Sequence, residues 1–536
     1  MKVRLALSMV LVAILAAWPS AATAETTDFP PGYEGYHTHA EVGAVLAAAE
    51  ATYGQGTGAI LKRYTLGQSF EGRDIWAVKI SDRVDRDEAE PEVLAESAMH
   101  AREHLTVEMS LYMIELLTTN YGKKDVLGKR VTKLVNTREI WIIPMLNPDG
   151  AEYDHLDGEW HGWRKNRQTI PDSDKIGIDL NRNWDYMWAC CGGSSASPGS
   201  SQFRGQFPFQ AVENVVLRDF ILSRRIGGVQ QIKAIFNWHT TGEFVMWPYG
   251  FTKDDVPPQM TQDDHTAFMT IGQRMAELNG YRSRQGSDSY IYDGDFPAWA
   301  YGDQRIFIYT IEMYPSFTCS GCGGFHPPDT VIQREVVRNT ETVLYFLEQA
   351  DCVYRAAGLG ATHCGPINDD FETARGWKFG GTTSGRWAQG IPAETTDGTN
   401  LMQTTSVVSG MAALVTGADS GADAHANDVD GATWARSKLF RATGKTMVRF
   451  SYTFAHDAGS SPADFVRLTV IRGTTKTVVW SQSGSDVARA AAWETVELSL
   501  SAFAGKNVRL LFQAADGETD NLVEAAIDDV RVFKTP

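Results

Sequence analysis

The sequence predicts two domains of different class: an α/β domain on an open sheet, followed by an all-β sandwich. Three observations carry this. Apolar β-rich runs alternate with helically spaced stretches as far as about residue 350. Three of those runs end on a residue suited to chemistry, His100, His239 or Glu312, and open α/β sheets bind ligands at the carboxyl ends of their strands. Beyond residue 366 the text changes to short β runs divided by Gly, Ser, Asp and Asn. A chain of 536 residues, 43% of them hydrophobic, is too long for one ordinary core and ample for two. The predicted boundaries are 1–24 for a leader, 25–350 for the α/β domain, 351–366 for a linker and 367–536 for the sandwich.

Lys2 and Arg4 precede the apolar run Leu5–Ala17, and Pro19 and Ala22-Thr23-Ala24 follow it. That is the layout of a cleaved secretory signal, with the mature chain starting near Glu25 and the protein secreted. A membrane anchor is the alternative, but the run is short for a span, and no other stretch approaches the ~20 apolar residues required. The net charge of −17 argues against nucleic acid, whose phosphates are bound mainly by Lys and Arg.

Taken in order, Glu41–Tyr53 is an Ala-rich helix, and Ile60–Ile80 reads as two strands around a Gly67–Gly72 turn. Val93–Met99 is a buried strand and Thr106–Tyr121 an amphipathic helix. Glu139–Leu146 is a buried strand ending in Asn147-Pro148-Asp149-Gly150, a turn by its residue chemistry. The Gly-, Ser- and Cys-rich stretch 189–205 is a surface loop placed to overhang a cleft. Strand Ile232–His239, helix Thr266–Asn279, strand Ile306–Glu312 and one long helix over Asp329–Ala350, entered through Pro327-Pro328, complete the domain. In the second domain the runs Val448–Tyr452, Val466–Ile471, Thr477–Trp480 and Val508–Phe512 are strands.

The chemistry centres on His100-Ala101-Arg102-Glu103-His104. His100 offers an imidazole nitrogen and Glu103 a carboxylate, which together leave a zinc ion partly neutralised and still a Lewis acid. His239, at the end of a second strand, supplies the third ligand. Glu312, at the end of a third, stands where a general base is needed.

The ordered set His100-x-x-Glu103, Trp163-Arg164-Lys165, Asp179-Leu180-Asn181-Arg182-Asn183-Trp184, His239 and Thr310-Ile311-Glu312-Met313 resembles the zinc carboxypeptidases of the carboxypeptidase A type over about residues 30 to 350. Trp299-Ala300-Tyr301-Gly302 and Glu312-Met313-Tyr314-Pro315 are similar to bacterial carboxypeptidase T. The resemblance implies an α/β/α sandwich on a mixed sheet, one catalytic Zn²⁺, and removal of a single C-terminal residue from peptides or proteins with a free C-terminus. It also implies that Glu312 takes the proton of a zinc-activated water and passes it to the leaving amine, and that Arg164 holds the oxyanion. Asn181, Arg182 and Tyr290 would clamp the terminal carboxylate, with Tyr292 the alternative to Tyr290 after a shift of alignment. Arg102 would bind substrate upstream of the scissile bond, and His104 would lie outside the metal shell. Met246, Gly250 and Pro297 fall near the side-chain pocket without a negative charge, while Asp295 and Asp303 stand close in sequence. A broad or apolar and aromatic preference with some tolerance of basic residues follows. Many such enzymes carry a long propeptide, whereas here the pattern begins almost at the leader, which argues against zymogen control.

Six cysteines in an exported chain form three disulfides out of fifteen conceivable pairings. Cys352 with Cys364 is one expected bridge. Cys190, Cys191, Cys319 and Cys322 would form two bridges tying the loop after Trp188 to the loop after Glu312, or else hold a structural zinc. In the sandwich, Asp369-Asp370-Phe371-Glu372, Asp428-Val429-Asp430-Gly431 and Val523–Val530 look like the jelly-roll modules appended to secreted bacterial peptidases. The functional expectation there is a carbohydrate or cell-surface ligand and a structural Ca²⁺ on Asp369, Glu372 and Asp528; the alternative is an ordinary sandwich with solvated turns. Two rivals to a carboxypeptidase remain: a cell-wall amidase of the same fold, with less use for Asn181-Arg182, and a binding protein that has lost a ligand or the base.

Overall fold

The structure, a computed structural model, describes residues 29–534 except 89, 227–228, 382–383, 419–422, 426–427 and 518–520. The leader expected at 1–24 lies outside the described residues. The first part of the chain runs α1 (His39–Tyr53), β1 (Leu61–Gln68), β2 (Asp74–Ile80), β3 (Glu92–Glu96), α2 (Leu105–Asn120), α3 (Val126–Val135), β4 (Glu139–Ile143), α4 (Pro148–Asp154) and α5 (Val212–Ser223). A small hairpin of β5 (Arg225–Ile226) and β6 (Val229–Gln230) precedes β7 (Ile232–Thr240), β8 (Phe244–Trp247), α6 (Gln262–Asn279), β9 (Arg282–Gln285), α7 (Phe296–Gly302), β10 (Phe307–Met313), α8 (Ile332–Arg338) and α9 (Thr340–Gln349).

Eight of these strands form one mixed sheet in the order β1-β2-β4-β3-β7-β10-β8-β9. Its centre, β4-β3-β7-β10, is parallel. Every residue of β3 and β4 is buried, as a sheet covered by helices on both faces requires. The parallel centre sends the carboxyl ends of β3, β7 and β10 to one edge, with Glu312 of β10 in register with His239 of β7.

Three local expectations are corrected. Helix α2 is not amphipathic: it is buried nearly all round, because it packs against β4 and β7 of the sheet and also against α3 and α8. Asn147-Pro148-Asp149-Gly150 is the start of α4, whose first turn the Asn147 side chain caps by accepting from Gly150 N at 3.1 Å. The long final helix is split at Asn339. There the buried side-chain amide donates to Glu335 O at 3.0 Å and accepts from Asn279 Nδ2 at 3.0 Å, which pins the break against the end of α6.

Beyond residue 366 two antiparallel sheets share a core that includes Trp387, Phe450, Leu468, Phe512 and Ile527. One sheet is centred on Thr446–His456 and Val523–Lys534, the other on Phe465–Arg472 and Asn507–Asp516. This part meets the first through Arg305 Nη2 and Glu372, 3.0 Å apart and both nearly buried, and through Arg531 Nη1 and Asp263, 3.7 Å apart. The carboxylates expected to hold calcium do not share one point. Asp369 accepts from Trp377 Nε1, Glu372 from Arg305 and the amides of Met411 and Ala412, and Asp528 from the amides of Val408 and Ser409. Each carboxylate is engaged by its own donors, and among the described residues the three are not gathered into one group of potential metal ligands.

Candidate metal centre and active-site cleft

The turn after β3 positions His100 and Glu103, the first two of the expected ligands. Ala98 adopts a positive φ of 52°, and its amide donates to Thr106 Oγ1, which itself donates to Glu103 O, so the residues between are folded back over the start of α2. Asn147 Nδ2 bridges Met99 O and Lys165 O, joining this turn to the segment that carries Arg164.

His100, Glu103 and His239 are brought together and are buried. His100 Nδ1 is 2.9 Å from one Glu103 oxygen, His239 Nδ1 is 2.8 Å from the other, and the two Nδ1 atoms are 3.1 Å apart. Two imidazoles and one carboxylate on so small a locus fit zinc, and they match the three-ligand His₂Glu set of catalytic zinc sites. Burial pushes the Glu103 carboxyl up, but His100 and His239 outweigh it and hold the group ionised. On the far side of His100, Nε2 lies 3.2 Å from the buried carboxylate of Asp179, which fixes the ring with Nδ1 facing the cluster. His104 is turned away, with Nε2 3.1 Å from Asp154, and stays outside the set.

Around this cluster lies a cleft of about 530 Å³ lined by Arg102, Arg164, Asn181, Arg182, Tyr290 and Glu312 among others. Glu312 is partly buried, and its enclosed Oε2 has no partner. Burial pushes this carboxyl up, against the pull of His239, the direction that makes a carboxylate a stronger base. Arg164 donates from Nε to Asp179 at 3.0 Å, so one carboxylate orients both the arginine and a ligand histidine.

Arg182 Nη2 donates to the Tyr290 hydroxyl at 3.0 Å, and Asn181 Oδ1 accepts from Phe296 N at 2.9 Å. Between the two candidate tyrosines, Tyr290 is half exposed at the cleft, whereas Tyr292 is buried with its ring 5.0 Å from the Arg182 guanidinium. Arg102 lies with its guanidinium 3.8 Å over the Phe325 ring and donates to Gly162 O.

Met246 and Pro297 line the cleft, but Gly250 does not: the Tyr292 ring covers it so closely that a Cβ there would meet ring carbon at 2.2 Å. Neither Asp295 nor Asp303 reaches the cleft. Asp295 is buried near Arg182 and caps α7 through Ala298 N, and Asp303 bonds the Gln304 side chain, so neither supports uptake of basic residues.

The loop 189–205 reaches the cleft through Ser201 and Gln202. The cross-loop disulfides and the four-thiolate zinc are both corrected. Cys190 pairs with Cys191 and Cys319 with Cys322, each within its own loop. The first loop is fastened instead by Asp293, which accepts from the amides of Cys191 and Gly193 and from Ser194 Oγ. Cys352 pairs with Cys364 as expected.

Sequence reading missed the orienting roles of Asp179 and Asn147. It also missed Arg284 on the cleft wall, whose one signal is the alternation Arg282-Ser283-Arg284, which puts both arginines on one face of β9.

The family pattern described as zinc carboxypeptidase matches residues 50–342. The chain is 45% identical over 333 residues to a zinc carboxypeptidase of Saccharothrix mutabilis subsp. capreolus, covering 62% of this chain and 74% of that one. It is 31% identical over 295 residues to a zinc carboxypeptidase of Simulium vittatum, covering 53% and 88%. The solved structure of thrombin activatable fibrinolysis inhibitor superposes with a TM-score of 0.52 at 22% identity over 59% of this chain and 74% of that one, a likeness of fold.

Proposed function

Because the chain belongs to the zinc carboxypeptidase family, we propose that it is a secreted enzyme that removes the C-terminal residue of peptides and proteins, with residues 25–350 as its catalytic domain and 367–536 as an accessory module. The observation that supports this most directly is the cleft itself. It sets a His₂Glu donor cluster beside an unpartnered carboxylate, Glu312, and beside an Arg–Tyr–Asn group suited to a carboxylate. Secretion draws on the leader pattern and on three disulfides. Among the described residues no helix is long and apolar enough to cross a membrane.

His100, Glu103 and His239 would hold the zinc, which when bound supplies Lewis acidity and makes water acidic enough to lose a proton near neutral pH. Arg182 would grip the substrate's terminal carboxylate in two parallel hydrogen bonds, with Tyr290 and Asn181 alongside. Arg164, held by Asp179 and with Nη1 3.2 Å from His100 Nδ1, would turn its guanidinium to the oxygen that gains charge as the carbonyl is attacked. Glu312, partly buried and with Oε2 unpartnered, would accept the proton of the attacking water and return it to the departing amine. Arg102 would bind the substrate backbone upstream. Met246, Pro297 and Thr310 make a mostly apolar wall for the terminal side chain, which supports apolar and aromatic residues there.

The test uses N-blocked dipeptides with free and amidated C-termini. The parent enzyme should strongly prefer the free acid, and Arg182→Ala should remove most of that preference with zinc content unchanged. Equal cleavage of acid and amide by the parent would favour the amidase reading instead.

A further inference from the structure

Four guanidinium groups line the cleft, and three have an evident occupation. Arg164 is paired with Asp179, Arg182 lies in the field of Asp179 and Asp295 and donates to Tyr290, and Arg102 covers Phe325 and donates to Gly162 O. Arg284 has none of these. Among the described residues it makes no ion pair and no hydrogen bond, and its Nε is buried without a partner. Its guanidinium carbon lies 3.6 Å from the Phe244 ring, which Arg282 also approaches at 4.2 Å. A guanidinium stacked on a ring keeps its N–H groups in the plane, directed past the ring and available to a ligand.

The register locates Arg284 on the wall that receives the substrate's terminal side chain. Thr310 of β10 pairs with Met246 of β8, which pairs with Arg284 of β9, so the three stand side by side across adjacent strands. Two-residue alternation keeps them on the same face as Phe244 and Glu312. The charged or polar groups around Arg284 are Arg282, Asp288, Glu312 and the Tyr292 phenol; burial first, and then Arg282, act against its charge. Asp288 and Glu312 support the charge without bonding to it, so the part-buried guanidinium still lacks a hydrogen-bonded partner, a cost that an arriving anion relieves.

We propose that Arg284 reads an acidic side chain at the substrate's C-terminus, so that within the mostly apolar pocket glutamate is favoured over its uncharged isostere. This rests on the carboxypeptidase reading and narrows its substrate class. Asp295 and Asp303 are outside the cleft, so no acid other than Glu103 and Glu312 lines it to favour a basic residue.

The experiment compares kcat/KM for N-blocked dipeptides that differ only in a C-terminal Glu, Gln, Leu or Lys. Glu and Gln have the same shape and differ by one charge. The parent should favour Glu over Gln about tenfold or more, the discrimination typical of a charge-assisted pair away from bulk water. Arg284→Met should bring that ratio to about 1, and Arg284→Glu should move the preference toward Lys. Ratios taken within one variant are insensitive to the fraction folded or loaded with zinc, because both substrates meet the same active molecules. A parent ratio at or below 1 overturns the assignment, as does a ratio that survives Arg284→Met. Failure to cleave any of the four peptides at full zinc occupancy overturns the carboxypeptidase reading itself, whereas cleavage of Leu and Gln with no advantage for Glu overturns only the role of Arg284.

Discussion

Asp179→Asn isolates the link between metal centre and oxyanion arm. Asp179 is fully buried, and its carboxylate serves three groups: His100 Nε2 at 3.2 Å, Arg164 Nε at 3.0 Å and the Asn181 amide at 3.0 Å. The pull of Arg164 and the histidine overcomes burial and keeps it ionised. An asparagine has the same shape but one acceptor oxygen. If that oxygen stays with Asn181 and His100, the new NH₂ faces Arg164 Nε–H, donor against donor, and the arginine loses its counter-charge. A hydrogen bond to a charged group contributes about 1.5–3 kcal/mol, so about 2 kcal/mol is withdrawn from the positioning of Arg164. Loss of a carboxylate behind a ligand histidine typically lowers metal affinity or activity 10–100-fold. The expected result is zinc affinity down by about tenfold and, at saturating zinc, kcat/KM down a further ~10–100-fold. That stays below the ~10³ ceiling for removing an oxyanion donor outright. Zinc affinity would be measured by competition with a chromogenic chelator, and turnover on a free-acid dipeptide. Parent-like values of both would refute the coupling through Asp179.

Glu312→Gln should keep stoichiometric zinc and lose about 10²–10⁴ in kcat, while His239→Ala should lose zinc and activity together; metal analysis beside turnover separates them. Asp528→Asn addresses pH. Burial pushes the Asp528 carboxyl up to about 8, far above the unfolded value of ~3.9, so the folded form binds more protons between those values. Its contribution to stability is complete below about pH 4 and is lost as pH rises to 8, by up to ~1.4 kcal/mol per unit. The variant should flatten that slope in urea midpoints between pH 5 and 7.5, and an unchanged slope would count against it. Arg305→Ala breaks a nearly buried pair with Glu372. It should cost about 3 kcal/mol and separate the thermal transitions of the two parts in calorimetry, against a single transition in the parent.

By itself the sequence determined the strands that lead to His100, His239 and Glu312, because a buried run followed by a polar residue is a local pattern that periodicity exposes; that β3 stops at Glu96 and His100 stands in the turn beyond it is set by the fold. It also determined the ligand spacing His100-x-x-Glu103, set by one turn of chain, and the change to an all-β text after residue 366. Only the tertiary structure decided which groups share a carboxylate. Asp179 meets His100 from 79 positions away in the chain, and the packing that brings them together leaves no trace in residue order. The same holds for the cysteines: composition offers fifteen pairings, and the fold of each loop, with Asp293 fastening the first, selects among them. The partners of the sandwich's acidic residues are likewise set only by the fold, and nothing in residue order marks Arg284 as lacking one. Whether a charge is satisfied depends on its neighbours in space. A local pattern specifies an element and the residue at its end; the long-range packing specifies the partners, and the partners determine what that residue can do.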